Sequence, residues 1–243
     1  MKTQNKRPNV AVILAGGYGK RLLPHTHYEP KPLLCVEGTP LIDRTFEALL
    51  NANINKVIIV VGYLGDLLED YISGSFASDF EIIFVRQEYI TGSADALALT
   101  AKQLKAWDQN NFLVLACDYL MPRFYLHDFI NFHAAGDHQI SVSLRIVEAK
   151  KASKSNIVIF GPEHAIFQIV EKPKNIQKKR KVTCASLIYV LPYEAFLFID
   201  KIGVSKRGEK ELPDVLNSMI TSGMSARGLV QETLLDWEAE YKL

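Results

Sequence analysis

Basic side chains placed among glycines are the first residues of this sequence that could do chemistry. The apolar run from Val10 to Leu14 leads into a glycine-rich stretch that carries Arg21, and Lys31 follows between two prolines. The glycines of this stretch are Gly16, Gly17 and Gly19. Glycine lets the backbone turn sharply and bring its N–H groups close to an anion, because no Cβ stands in the way. Arg21 adds a planar fork for phosphate oxygens and Lys31 a compact positive charge, so the stretch suits a polyphosphate.

Residues near the ends of predicted strands form a second group of candidates. Gln87 carries an amide that both donates and accepts hydrogen bonds, and Gly92 comes just before a predicted helix. Asp118 follows the apolar run FLVLAC, where its carboxylate suits Mg²⁺. Glu171 and Lys172 end a further apolar stretch and put a carboxylate beside an ammonium. Plain structural roles are open for each of these motifs: a helix cap, a turn residue or a surface ion pair.

The elements that would position these residues alternate along the first part of the chain. Short apolar runs predict strands at 10–14, 56–61, 81–87 and 112–116. Helical spacing of apolar residues predicts helices at about 41–52, 66–73 and 93–107. Strands that alternate with helices pair in parallel through right-handed crossovers, and ligands of such sheets bind beyond the carboxyl ends of the strands.

The second part of the chain has a different rhythm, because strand-like segments follow one another directly. They are predicted at 140–147, 157–160, 166–171 and 183–190. We therefore predict an α/β protein whose three-layer, open sheet is mixed but mainly parallel, with an antiparallel portion that closes over the cleft. We expect one domain over residues 1–243, with a first part of about 1–138 and a second of about 139–243.

Composition limits the classes of function. The chain has 243 residues and a formal net charge of +1, which gives no general field to attract nucleic acid or an anionic membrane. No apolar run approaches the roughly 18 residues of a membrane span, and the N-terminus lacks the apolar core of a signal peptide. The three cysteines are widely spaced, which favours reduced thiols over disulfides. We expect a cytoplasmic protein without nucleic-acid or membrane partners.

The glycine-rich stretch also carries a family resemblance. The sequence LAGGYGKRLLP followed by EPKPLL resembles the signature of the sugar-phosphate nucleotidyltransferases, in which these segments hold the triphosphate of a nucleotide. Two better-known phosphate loops do not fit, because Lys20 precedes Arg21 instead of Ser or Thr and position 22 is Leu instead of Gly. The resemblance implies a Rossmann-like nucleotide-diphospho-sugar transferase fold. Lys20 departs from the pattern, since the family usually has Thr or Ser there.

The resemblance implies a reaction and a role for each matching residue. The substrates would be a nucleoside triphosphate, with UTP or dTTP favoured, and a sugar 1-phosphate; the products would be an NDP-sugar and pyrophosphate. The nucleotide would be bound by Leu14, Ala15, Gly16, Gly17, Gly19, Arg21, Gln87 and Gly92. Mg²⁺ would be held by Asp118 and, in the closing segment ETLLDWEAEYKL, by Asp236. The sugar phosphate would contact Asn156, Glu171 and Lys172. Arg21, Lys31 and Lys172 would be the catalytic residues.

Departures from the family pattern on the second part leave other functions open. Asn156 begins the segment where relatives usually read Gly-Val-Val, and Leu187 stands where they usually have glycine. The turn after Asp236 lacks the usual Gly-Thr-Pro. A nucleotidyltransferase for another phosphorylated acceptor, such as phosphocholine, is one alternative. A non-catalytic regulatory subunit that binds nucleotide or sugar phosphate is the other, and assembly into a homo-oligomer is open.

Overall fold

The computed structural model describes residues 7–149, 152, 155–171, 180–205, 208–231 and 235–236. Its strands are β1 (Val10–Leu14), β2 (Cys35–Val36), β3 (Thr39–Pro40), β4 (Lys56–Val61), β5 (Glu81–Arg86), β6 (Asn111–Ala116), β7 (Tyr119–Leu120), β8 (Ile140–Glu148), β9 (Asn156–Phe160), β10 (Ile166–Glu171), β11 (Lys181–Pro192), β12 (Ala226–Val230) and β13 (Leu235–Asp236). Its helices are α1 (Leu41–Asn51), α2 (Gly65–Phe76), α3 (Ser93–Ala98), α4 (Ala101–Ala106), α5 (Tyr125–Ala135), α6 (Phe196–Ile199) and α7 (Leu212–Thr221).

The first part of the sheet consists of parallel strands in the order β5, β4, β1, β6. The central strand β1 is apolar throughout and buried from Val10 to Ile13, as a strand covered on both faces requires. The strands predicted for this part of the chain are confirmed to within one residue.

The second part continues the same sheet with antiparallel pairs. Strand β11 runs antiparallel to β6 on one edge and to β8 on the other, and β12 lies parallel to β8. The hairpin of β9 and β10 is attached to the early residues of β11 through Cys184 and Ala185. The predicted mixed sheet of the α/β class is therefore confirmed.

Helices cover both faces of the sheet and complete three layers. Alternate residues of β1 point to opposite faces: Val10 and Val12 join one apolar cluster, and Ala11 and Ile13 join the other. Helices α3, α6 and α7 pack into the first cluster, and α1, α2 and α5 into the second. No helix of the described ranges is long and apolar enough to cross a membrane.

One predicted helix, 93–107, is wrong as a single element. The structure has two short helices there, α3 and α4, separated at Leu99 and Thr100. The backbone N–H and the hydroxyl of Thr100 both donate to the carbonyl oxygen of Leu97, at 2.9 and 2.7 Å. These contacts tighten the turn and end the first helix, since a threonine hydroxyl competes with the regular helical hydrogen bonds.

Candidate functional site

A cavity of about 260 Å³ opens where β1 and β6 end. The chain passes from β1 to β4 and β5 on one side and returns to β6 on the other, so the strand order reverses between β1 and β6. Open α/β sheets bind ligands at such a point. The predicted site residues that line the cavity are Leu14, Ala15, Gly17, Gly19, Arg21, Lys31 and Asp118.

Two glycines of the glycine-rich loop, Gly16 and Gly19, are closely approached by neighbouring atoms. A Cβ on Gly16 would lie 3.2 Å from the backbone of Gly62, in the loop after β4, and the Gly16 carbonyl accepts a hydrogen bond from the N–H of Tyr63. Gly19 has a φ of +61°, and a Cβ there would lie 2.8 Å from the methyl group of the buried Thr26. Glycine is therefore required at Gly19 by close approach and by the backbone angle, whereas a side chain at Gly16 would need the neighbouring backbone to shift by a few tenths of an ångström.

Two residues that line the cavity, Lys31 and Asp118, form an ion pair. The ammonium of Lys31 donates to Oδ2 of Asp118 at 2.7 Å, and both side chains are largely shielded from solvent. The other carboxylate oxygen, Oδ1, is buried and has no hydrogen-bond partner among the residues that the structure describes. Buried carboxylate oxygens are normally satisfied, so this one indicates a missing donor or cation. An oxygen ligand of this type fits Mg²⁺.

The neighbouring Cys117 lines the same cavity but is not a nucleophile. Burial, with the nearby Asp118 carboxylate, raises the pKa of its thiol to about 12, although Lys31 acts in the opposite direction. A thiol with this pKa stays protonated at neutral pH, and only the thiolate is strongly nucleophilic. In the part of the chain that the structure describes, the charged side chains that line the cavity are three cations and one carboxylate: Lys20, Arg21, Lys31 and Asp118. Such a set suits binding of a polyanion.

Gln87 and Gly92 lie beyond the carboxyl end of β5, outside the lining of this cavity. The Gln87 side chain is 6% exposed, and its amide nitrogen approaches the Gly92 carbonyl at 3.4 Å. Gly92 has a φ of +124°, and a Cβ there would lie 2.2 Å from the carbonyl oxygen of Lys210. The close backbone approach at Gly92 is therefore to the second part of the chain.

Strand pairing brings Asn156 and Glu171 together. They lie opposite each other in the β9–β10 hairpin, which pairs with β11 near Ala185. Because Ile188 pairs with Leu115 close to the end of β6, the earlier residues of β11 extend beyond that end. The two predicted acceptor residues thus lie beyond the same strand end as Asp118.

The second predicted metal ligand also comes close to Asp118 in the backbone. Asp236 pairs with Tyr119 in the small sheet of β7 and β13, which puts it opposite the residue that follows Asp118. Residues paired in this way have Cα atoms about 4.5–5.5 Å apart. Lys172 lies outside the described residues, so its role remains a prediction.

Sequence reasoning missed a set of contacts between the start of α3 and the start of α7. The Ser93 hydroxyl donates to Oε2 of Glu211 at 3.0 Å and accepts a hydrogen bond from the Leu212 N–H at 2.9 Å. Ser93 therefore caps α7, whereas the N-cap position of its own helix, α3, is occupied by Gly92. A proline at the first turn of α7 was the local signal for this helix start.

Burial and acidic side chains, including that of the predicted acceptor residue Glu171, raise the pKa values of two neighbouring groups. Burial and the Glu171 carboxylate raise the pKa of Asp214. Burial, with Glu211 and Glu171, also raises the pKa of Tyr189, whose buried hydroxyl has no hydrogen-bond partner within the described ranges. These residues lie on α7, β10 and β11, so only the folded chain brings them together.

Comparison with known proteins identifies relatives of this chain. Residues 10–237 match the family model described as nucleotidyl transferase. The bifunctional protein GlmU of Methanococcus maripaludis is 31% identical over 213 residues, which are 88% of this chain and 47% of the relative. The catalytic subunit beta of mannose-1-phosphate guanylyltransferase from Danio rerio is 32% identical over 166 residues, 68% of this chain and 45% of the relative. The chain thus spans about half the length of these curated relatives.

The fold has close counterparts among solved structures. A UDP-glucose pyrophosphorylase in complex with UDP-glucose superimposes with a TM-score of 0.83 at 21% identity, covering 95% of this chain and 94% of that one. At this identity the likeness shows the fold alone, which agrees with the nucleotide-diphospho-sugar transferase fold expected from the sequence.

Proposed function

The chain belongs to the nucleotidyl transferase family, and on this basis we propose that it transfers a nucleoside monophosphate from a nucleoside triphosphate to a sugar 1-phosphate. The observation that carries the proposal is the Lys31–Asp118 pair at the point where the strand order reverses, in a cavity lined by further cations. The curated names of relatives support a sugar 1-phosphate as acceptor, since one acts on mannose 1-phosphate.

The residues of the chain act by positioning and by neutralising charge. In this scheme a phosphate oxygen of the acceptor attacks the α-phosphorus in line, the bond from that phosphorus to the β-phosphate breaks, and pyrophosphate leaves. Arg21 and Lys31 bind the phosphates of the nucleotide, and Lys172 orients the phosphate of the acceptor. The protonated thiol of Cys117 is consistent with direct transfer, which needs no covalent enzyme intermediate.

Mg²⁺ is the cofactor that the carboxylates would hold. Asp118 has an unsatisfied buried oxygen, and the backbone of Asp236 lies opposite Tyr119. When bound, the ion would neutralise phosphate charge during transfer. We further propose that Gln87 and Gly92 contact the base, with uracil or thymine favoured, and that Asn156 and Glu171 contact the sugar.

The test is pyrophosphate release by the full chain with Mg²⁺, measured for all common nucleoside triphosphates crossed with a panel of sugar 1-phosphates and phosphocholine. The proposal predicts release with one nucleotide and one sugar 1-phosphate well above every other pair. Release with phosphocholine alone would mean that the acceptor is another phosphorylated compound and not a sugar 1-phosphate. Nucleotide binding without release for any pair would favour a regulatory subunit.

One observation favours the alternative acceptor enough to keep phosphocholine in the panel. Leu187, which stands where relatives have glycine, lies in an irregular stretch of β11 and packs against both apolar clusters. Its backbone N–H donates to the hydroxyl of Tyr119 at 2.9 Å, which fixes it beside the strand that follows Asp118. We propose that this side chain takes space that glycine would leave open on the acceptor side.

A further inference from the structure

We infer that Lys20 is an additional phosphate-binding residue of this chain and that it contacts the pyrophosphate end of the nucleotide. The inference rests on the proposed function and deepens it, because Lys20 stands where the family signature usually has Thr or Ser. Neither of those residues carries a charge or reaches as far from the backbone.

The first observation is the position of Lys20. It follows Gly19, whose φ of +61° turns the chain, and it begins the short 3₁₀ turn that also carries Arg21. Its side chain is exposed but lines the cavity between the ends of β1 and β6. Because Lys20 is exposed, it adds its charge at the mouth of the cavity, which Arg21 also lines.

The second observation is that aromatic contacts hold the Lys20 ammonium at this mouth. The ammonium lies 4.9 Å from the centre of the Tyr18 ring. The Tyr18 ring packs against Tyr63 with ring centres 5.4 Å apart, and the Tyr63 hydroxyl donates to the backbone carbonyl of His27 at 3.2 Å. A cation over an exposed ring is held weakly, so phosphate oxygens can replace the ring without a large cost.

The third observation is the distribution of charge along the cavity. Lys31 is paired with Asp118 at the inner end, whereas within the described ranges no carboxylate forms an ion pair with Lys20. Asn156 and Glu171 lie beyond the same strand end as Asp118, so we place the α-phosphorus at the Lys31–Asp118 end of the cavity. The phosphates that become pyrophosphate then extend toward Lys20. Two linked phosphates reach further along the cavity than one does. Lys20 should therefore strengthen the binding of pyrophosphate more than the binding of orthophosphate.

The test is a calorimetric titration of the full chain with inorganic pyrophosphate in the presence of Mg²⁺. We expect Lys20→Thr, which restores the residue usual in the family, to weaken pyrophosphate binding about tenfold, the order expected for one charge-assisted contact. Lys20→Arg should bind nearly as tightly as the wild type, and orthophosphate should bind weakly to all variants.

The matched control is Lys201→Thr. Lys201 is also exposed, and its ammonium lies 4.7 Å from the centre of the Phe198 ring, but it does not line the cavity. This variant loses the same charge and the same kind of ring contact, so it should keep the wild-type affinity for pyrophosphate.

The inference is overturned if Lys20→Thr binds pyrophosphate as tightly as Lys201→Thr, or if the wild type binds no pyrophosphate. The titration needs neither acceptor nor turnover, which separates it from the test of the proposed function. A loss of affinity specific to Lys20→Thr would support the inference even if no acceptor in the panel reacts. Turnover with a sugar 1-phosphate would support the proposed function even if Lys20→Thr binds normally.

Discussion

The parallel part of the sheet, β1 with β4, β5 and β6, and the antiparallel part, β8 to β11, build their candidate residues in different ways. In the parallel part, Arg21 and Asp118 lie in loops that directly follow strands, so each side chain is positioned by the strand before it. In the antiparallel part, Asn156 and Glu171 meet only through strand pairing. A triphosphate needs backbone N–H groups and charge, which loops supply locally. An acceptor needs a shaped pocket, which distant segments must build together.

The largest expected effect would break the phosphate site of the parallel part. Asp118→Asn keeps the size of the side chain but removes its charge, its pairing with Lys31 and a metal ligand. We expect turnover to fall by about a thousandfold or more, the scale seen when one preorganised electrostatic group is lost. Steady-state kinetics and thermal melting would be measured together, with Asp128→Asn on the exposed surface of α5 as the control. More than a tenth of wild-type turnover in Asp118→Asn would refute its proposed role.

The next effect tests the contact between the first and second parts of the chain, at Gly92 and Lys210. Gly92→Ala would put a methyl group 2.2 Å from the Lys210 carbonyl at a φ of +124°, and we expect it to lower the free energy of unfolding by about 2–4 kcal/mol. Gly17→Ala is the control, because no atom lies within 4 Å of its added methyl group. Urea denaturation gives both values. Equal stabilities would mean that the contact does not constrain Gly92.

A smaller effect tests whether Lys31 competes with a metal ion for the carboxylate of Asp118. Lys31→Gln removes the ammonium that occupies Oδ2 of Asp118, so Mg²⁺ or Mn²⁺ alone should bind about threefold to tenfold more tightly. Nucleotide binding should weaken, because a cation that faces the phosphates is lost. Calorimetry with metal alone and with nucleotide measures the two affinities. Changes in the same direction would show that Lys31 does not compete with the metal.

The smallest effect concerns Asp214, on the helix α7 that lies near Glu171 of the antiparallel part, and it depends on pH. Burial and Glu171 raise the pKa of Asp214 above its ordinary 3.8, so the native state holds this proton more tightly than the unfolded state. The stability that this gives is full below pH 3.8 and is lost as pH rises through the raised pKa. Asp214→Asn should therefore melt above the wild type at pH 7, and the gap should close toward pH 3. A constant gap across this range would contradict the raised pKa.

The difference between the parallel and antiparallel parts of the sheet also explains how much of the fold and the site could be predicted from the sequence. The strands of the parallel part and the glycine turn after β1 were predictable because each is encoded by consecutive residues, such as the apolar run before Gly16; phosphate binding by this turn stays a prediction. The Lys31–Asp118 pair and the contact of Gly92 with Lys210 were not predictable from pattern, since each joins residues far apart in the chain. The break between α3 and α4 was not predicted, because a threonine inside an otherwise helical pattern gives only a weak signal.

Transfer of a nucleoside monophosphate can be observed in a ³¹P NMR spectrum of the full chain with Mg²⁺, the nucleoside triphosphate and the sugar 1-phosphate that react best. Transfer predicts equal amounts of free pyrophosphate and of a new diphosphate diester, and neither should form with Asp118→Asn. Nucleoside diphosphate and orthophosphate in place of the diester would mean hydrolysis at the same cavity and would contradict the account.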